Sequence, residues 1–145
     1  MNVELIMLSK PILTPAASPI RLKRLNLGTG ALFCALYNEI FRSVSGALEM
    51  DENALAALLR SVSKEAGFLM LAGIPLGVYV LDLAEPPLIV AVGLREEHRG
   101  RGYGSPSLAA LENRLVELGF GNAALFAAKN NVPALALYRK CGYRP

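Results

Sequence analysis

The segment His98 to Pro106, HRGRGYGSP, constrains this chain more than any other. Its three glycines and two arginines stand between two very different stretches. Before it runs the apolar segment Leu88 to Leu94, LIVAVGL; after it, Leu108, Leu111, Leu115 and Leu118 fall on one face of a helix. A buried strand, a glycine-rich turn and a helix in that order build an anion cradle. Successive main-chain N–H groups point into a concavity, and the helix adds about half a positive charge at its N-terminus. Glycine leaves room for phosphate oxygens and allows backbone angles that a Cβ forbids. Pro106 fits the first helical turn, where its missing N–H costs nothing. Ser105 offers a hydroxyl and an amide, and Arg99 and Arg101 add charge. A dinucleotide fingerprint is excluded because its third glycine is missing, and a P-loop because its Gly-Lys-Ser/Thr ending is absent. The expectation is a loop that grips a pyrophosphate. A purely structural turn is the alternative, although three glycines between Gly100 and Gly104 exceed what a plain turn requires.

The rest of the chain reads as strands and helices around one sheet. Val3 to Leu8 predicts a strand, followed by a linker in which Pro11, Pro15 and Pro19 each remove a backbone donor. Ile20 to Leu27 alternates apolar and basic residues, as a strand does. From about Gly30, Phe33, Leu36, Tyr37, Ile40 and Val44 recur at helical steps, with Gly46 as the stop. Asp51 is placed to cap a second helix, and Met50 and Leu55 to staple its entry. Leu55, Leu58, Leu59 and Val62 form its apolar stripe, and Gly67 ends it. Phe68 to Leu83 predicts a hairpin around a Gly/Pro turn. LIVAVGL, apolar on both faces, belongs at the centre of the sheet. Gly119 or Gly121 closes the helix after the glycine-rich turn, and Asn122 to Ala128 is a buried strand parallel to LIVAVGL. Asn131 caps a last helix with Pro133 in its first turn and Gly142 at its end. The order β, β, α, α, β, β, β, α, β, α predicts a mixed α/β (α+β) fold in a single domain over residues 1–145.

Composition narrows the function classes. At 145 residues, 53% apolar and 19% charged, the chain can bury a core and is not a disordered polyelectrolyte. Its net charge of +3 is compatible with an anionic ligand. No Lys/Arg run or aromatic ladder points to nucleic acid, and no segment has the roughly 18 apolar residues a membrane helix needs. Cys34 and Cys141 lack metal-ligand spacing, so no metal site is expected. They read as free thiols of a reducing cytoplasm. Glu4 interrupts the N-terminal apolar run, which does not read as a signal peptide, so a cytoplasmic location is expected.

Arg99, Gly102 and Gly104 match the pattern Arg/Gln-x-x-Gly-x-Gly/Ala. Further on, NVPALALYRKCGY supplies Asn131, Ala134, Leu137, Tyr138, Lys140, Gly142 and Tyr143 at the spacing Asn-x-x-Ala-x-x-Leu-Tyr-x-Lys-x-Gly-Phe/Tyr. With both patterns in order and a strand between them, the chain resembles the GCN5-related N-acetyltransferases from roughly Phe68 to Pro145. The resemblance implies a central sheet splayed between the strand before the glycine-rich loop and the strand after the following helix. Acetyl-CoA would lie in that gap. Backbone groups of Val92, Gly93 and Leu94 would face its pantetheine arm, and a Gly93 or Leu94 N–H would hold the acetyl carbonyl. Arg99, Gly100, Arg101, Gly102, Tyr103, Gly104 and Ser105 would bind the pyrophosphate, with Asn131, Tyr138 and Lys140 facing the cofactor from the far side. Tyr138 resembles the family's general acid.

The implied reaction is acetyl transfer to the amine of a small molecule or peptide by direct attack. A non-catalytic acyl-CoA-binding sensor or partner module is the alternative. The central strand departs from the pattern, because LIVAVGL carries no glutamate base. Asp82, Glu85, Glu96 and Glu97 flank it, and His98 is the only histidine. Relatives also continue past the last helix into a final strand, whereas this chain ends at Pro145. Residues 3–10 are a candidate for that slot, within one chain or by exchange in a homodimer; an ordinary N-terminal extension is the alternative.

Overall fold

The structure, a computed structural model, describes residues 4–44 and 49–145. Its strands are β1 (Leu5–Pro11), β2 (Arg21–Arg24), β3 (Lys64–Leu71), β4 (Ile74–Asp82), β5 (Leu88–Leu94) and β6 (Asn122–Ala128). Its helices are α1 (Gly30–Phe41), α2 (Glu52–Arg60), α3 (Gly104–Glu117) and α4 (Val132–Lys140). The strands form one sheet in the order β1-β6-β5-β4-β3-β2. Alternation along β3 and β4 sends Leu69, Tyr79 and Leu81 to one face and Phe68, Val78 and Val80 to the other. The first face packs on Leu108, Leu111 and Leu115 of α3, the second on Phe33, Leu36 and Ile40 of α1. The fold is therefore three-layered, with β5 inside the sheet as its apolar sequence predicts.

A buried carboxylate fastens α3 to the sheet. Glu65 in β3, only 4% exposed, accepts from Arg114 Nη2 at 2.7 Å and from the Tyr79 hydroxyl at 3.1 Å. Burial alone would raise the Glu65 pKa, but hydrogen bonds and charge from Arg114, with help from Tyr79 and Arg24, hold it below the ordinary value. Tyr79 is pushed up, first by burial and then by Glu65.

β1 pairs antiparallel with β6, from Leu5 opposite Ala128 to Pro11 opposite Asn122. On its outer side Ser9 exchanges two backbone bonds with Arg144, at 2.8 and 2.9 Å. β1 thus lies between β6 and the last residues of the same chain. Lys10 Nζ reaches inward to Glu112 Oε1 at 3.0 Å and the Cys141 carbonyl at 2.8 Å, and the Tyr143 hydroxyl donates to Glu112 Oε2 at 2.8 Å.

Several boundaries differ from the sequence expectations. β2 stops at Arg24, and Leu27, 88% exposed, opens a short 3-10 turn instead of ending a strand. α1 ends at Phe41, leaving Val44 outside it and exposed. The Ile40 carbonyl near the end of α1 accepts from Arg99 Nη2, a cation distant in sequence, so no local pattern could mark this end. Gly46 and Val3 lie outside the described residues. α2 stops at Arg60, where Ser61 turns extended, and Val62 faces solvent. Gly67 does not end a helix; it lies within β3, where an added Cβ would collide with the Lys23 carbonyl of the neighbouring β2. β5 is not covered on both faces: Val90 is half exposed, because β5 opens onto a cleft.

Candidate functional site

Parallel pairing between β5 and β6 involves only Leu88 with Ala124 and Ile89 with Leu125. Beyond these pairs the two strands part and leave a cleft of about 870 Å³. The register between β4 and β5 also shifts here, so that Val90 is an extra residue opposite Val80 and Leu81. The direction of the β5 backbone follows from its pairing. Arg95 N–H donates to the Leu76 carbonyl at 2.8 Å, and Leu94, Gly93 and Val92 then face Gly77, Val78 and Tyr79 in turn. Antiparallel partners alternate between bonded and non-bonded pairs. Gly93 therefore turns its N–H toward β4, whereas Val92 and Leu94 turn theirs into the cleft. The Leu94 carbonyl agrees, since it accepts from Arg99 Nε at 2.9 Å. Of the two amides that the sequence offers for an acetyl carbonyl, only that of Leu94 faces the gap; the Val92 amide joins it. Gly93 serves packing instead, because a Cβ there would come 3.0 Å from the Phe41 ring of α1.

The cleft leads to the glycine-rich loop. Among the described residues, no acceptor bonds the main-chain N–H groups of Gly100, Arg101, Gly102, Tyr103, Gly104 or Ser105. They precede and open α3, so the helix dipole points its positive end at the same space. Gly100 and Gly102 have φ of +70° and +84°, which an L side chain rarely adopts, and a Cβ on either would meet nothing within 4 Å. Their conformation requires glycine, and the space before them is open. Gly104 has another role: a Cβ there would come 2.9 Å from Leu137 Cδ2 of α4. The two sequence patterns thus touch, and Gly104 sets how closely α4 approaches the start of α3.

Arg99 lines the cleft, and its guanidinium clamps the ends of β5 and α1. Arg101 is exposed, and Tyr103 packs against the core. Ser105 Oγ lies 3.3 Å from Cys141 Sγ. Asn131 lines the far wall of the cleft, where its side chain accepts from the Ala134 N–H at 3.3 Å as a helix cap. Tyr138 lines the same wall; its ring packs edge-on against Tyr143 at 6.2 Å, and burial raises its pKa, so it is neutral and able to donate at physiological pH. Lys140 is exposed at the end of α4 and does not line the cleft.

No Asp or Glu lines the cleft among the described residues. Asp82 ends β4, Glu85 is exposed on the turn before β5, and Glu96 and Glu97 are exposed on the turn after it. Glu97 pairs with Arg95 at 3.0 Å. His98 sits on the same turn, outside the cleft lining. Two residues of α1 that the sequence does not single out as functional, Tyr37 on the core-facing stripe and Phe41, also line the cleft. Tyr37 lines the cleft, its ring 4.6 Å from that of Phe41, and burial raises its pKa. A tyrosine on a core-facing helical stripe looks like packing from sequence alone, and only the gap in the sheet exposes it.

No group of three or more His, Cys, Asp or Glu among the described residues could hold a metal ion, and no described helix is long and apolar enough to cross a membrane. Cys34 and Cys141 are both free thiols.

Splayed strands, unpaired amides and a glycine-rich helix start make up the candidate site. The model of the acetyltransferase (GNAT) family matches residues 34–143, and the chain belongs to that family. A mycothiol acetyltransferase of Corynebacterium aurimucosum is 40% identical over 55 residues, which is 38% of this chain and 18% of that protein. A GCN5-related N-acetyltransferase from Sphaerobacter thermophilus superposes with a TM-score of 0.72 at 17% identity, over 97% of this chain and 47% of that one. The aminoglycoside N-acetyltransferase AAC(6')-Iy, in complex with CoA, superposes with a TM-score of 0.67 at 14% identity, over 92% and 93% of the two chains. The structural likenesses show the fold, and the chain spans less than half the length of the first two proteins.

Proposed function

We propose that this domain transfers an acetyl group from acetyl-CoA to a primary amine. The observation that carries the reading is the continuity of unpaired backbone donors, from Val92 and Leu94 in the cleft to the amides of Gly100 through Ser105. When bound, acetyl-CoA supplies the acetyl group as an activated thioester. The residues present are compatible with it: the space before Gly100 and Gly102 is open, as phosphate oxygens would require, and the cleft between β5 and β6 would take an extended arm bonded to the strand edges. The Val92 and Leu94 amides are fixed by the β4 pairing, so they stabilise negative charge on a carbonyl oxygen without reorganising. Tyr138 would donate its phenolic proton to the departing thiolate, and its raised pKa keeps that proton available near neutrality. With no carboxylate in the cleft among the described residues, the attacking amine would lose its proton to water.

The missing carboxylate also favours a second reading, a CoA-binding module without catalysis. A thiol-release assay with acetyl-CoA and a panel of amines separates the two: release on at least one amine supports the transferase, and tight CoA binding with no release on any amine supports the module. We read β1 as filling the last-strand position of the family from the N-terminal side. Its place between β6 and Arg144 supports this. A cytoplasmic setting is consistent with both cysteines being free.

A further inference from the structure

A second compartment of about 400 Å³ adjoins the cleft and shares Tyr37 and Val90 with it. It lies between the helices and the sheet, walled by Met50 at the entry to α2, Leu58 of α2, Val80 of β4 and Val90 at the β5 register shift. The polar side chains on its wall are Tyr37, Ser61 and Lys64. No carboxylate lines it or the cleft among the described residues.

Of the acidic residues nearby, Glu39, Glu49, Asp51, Glu52 and Asp82, none lines the compartment. Asp51 accepts from the Ala54 N–H at 2.8 Å as the cap of α2. The Cys34 thiol of α1 is pushed up first by burial and then by the charges of Asp51 and Glu52. Glu39 is exposed on α1. Asp82 stands opposite Lys64 in the β3–β4 register but makes no ion pair with it. The compartment therefore has an apolar wall and a cationic rim.

We infer that the acceptor of this site is a single amine carried on an apolar body, whose second charge, where it has one, is negative. This rests on the acyl-transfer reading above and deepens it. Burying an apolar body against Met50, Leu58, Val80 and Val90 supplies the affinity. Lys64 supplies discrimination, because it is the one charged side chain of the lining among the described residues, and a polyamine would bring a second ammonium beside it with no carboxylate in the lining to receive it. An amino group directed past Tyr37 and Val90 would enter the cleft beside the Val92 amide.

The test is a calorimetric titration of the CoA-saturated protein, and of the free protein, with phenethylamine, L-phenylalanine and spermine. The two aromatic amines are expected to bind at least about tenfold more tightly than spermine. Lys64→Glu changes an exposed side chain, so its fold is not at risk; it is expected to narrow that preference by about tenfold with CoA affinity unchanged. Tighter binding of spermine to wild-type protein that still binds CoA would overturn the inference and leave acetyl transfer standing. Loss of the aromatic preference together with failure to bind CoA would overturn both. A preference unchanged in Lys64→Glu would remove the cationic rim from the account.

Discussion

The Leu94 carbonyl accepts a hydrogen bond from Arg99 Nε at 2.9 Å, and the same guanidinium donates to the Ile40 carbonyl at 3.2 Å. One side chain thus ties the end of β5, the end of α1 and the glycine-rich loop together. In the sequence pattern Arg99 looks like a phosphate ligand; in the structure its guanidinium also holds the ends of β5 and α1 beside the cleft. Arg99→Leu is expected to weaken CoA binding about tenfold, with a loss in stability of about 1 kcal/mol, read by calorimetry and thermal melting. Unchanged affinity would show that the clamp is dispensable.

Gly102 separates binding from folding. With φ at +84° and open space where a Cβ would stand, Gly102→Ala strains the backbone by about 1 kcal/mol yet meets no protein atom. The methyl group would occupy the phosphate space. CoA affinity is expected to fall about a hundredfold while the melting temperature drops by only a few degrees, about 2–4 °C. Proportionate losses would mean that the loop is merely a turn.

This contrast shows what the sequence made legible. The glycine run, the Asn131 cap and the Leu137–Tyr138 pair are local signals, and each stands where its spacing puts it. The end of α1 depends on Arg99, and the glycine within β3 depends on the approach of β2 at Lys23; both are contacts between distant segments. The second compartment is illegible in the sequence for the same reason. Tyr37, Leu58, Val80 and Val90 come from four elements, and each alone looks like ordinary core.

Tyr138 lines the cleft with burial raising its pKa. Tyr138→Phe is expected to lower turnover about a hundredfold while CoA affinity stays within about twofold. Because the hydroxyl stays protonated beyond the ordinary tyrosine range, its contribution to rate should persist to at least about pH 10. Equal losses in turnover and affinity would make Tyr138 a packing residue.

The Glu65–Arg114 pair sets the response to acid. The folded-state pKa of Glu65 is lowered, so the pair's stabilisation is present above the ordinary glutamate pKa of about 4.3 and is lost as pH falls through the lower folded value. Arg114→Met takes from a carboxylate that is 3% exposed its nearest cation, leaving the Tyr79 hydroxyl and the more distant Arg24. The expected cost is about 3 kcal/mol at neutral pH, with acid unfolding beginning at a higher pH than in the wild type. Chemical denaturation at several pH values reads both, and a parallel downward shift at all pH would contradict the assignment.

Lys10 fastens β1 to the domain through Glu112 and the Cys141 carbonyl. Lys10→Met should destabilise by about 2 kcal/mol, since the mostly buried Glu112 loses its cation. Deleting residues 1–12 removes the fully buried Leu8 as well and should lower the melting temperature further. An unchanged melting temperature in the deletion would show that β1 is not an integral strand.

We propose that backbone amides along β5 and the glycine-rich loop hold the cofactor. The most direct test is an amide-resolved NMR titration of the domain with coenzyme A. Saturable binding should move the amides of Val92, Leu94 and Gly100 through Ser105 most, and slow their exchange with solvent. Binding that leaves those amides unmoved, or no binding at about millimolar CoA, would contradict the account.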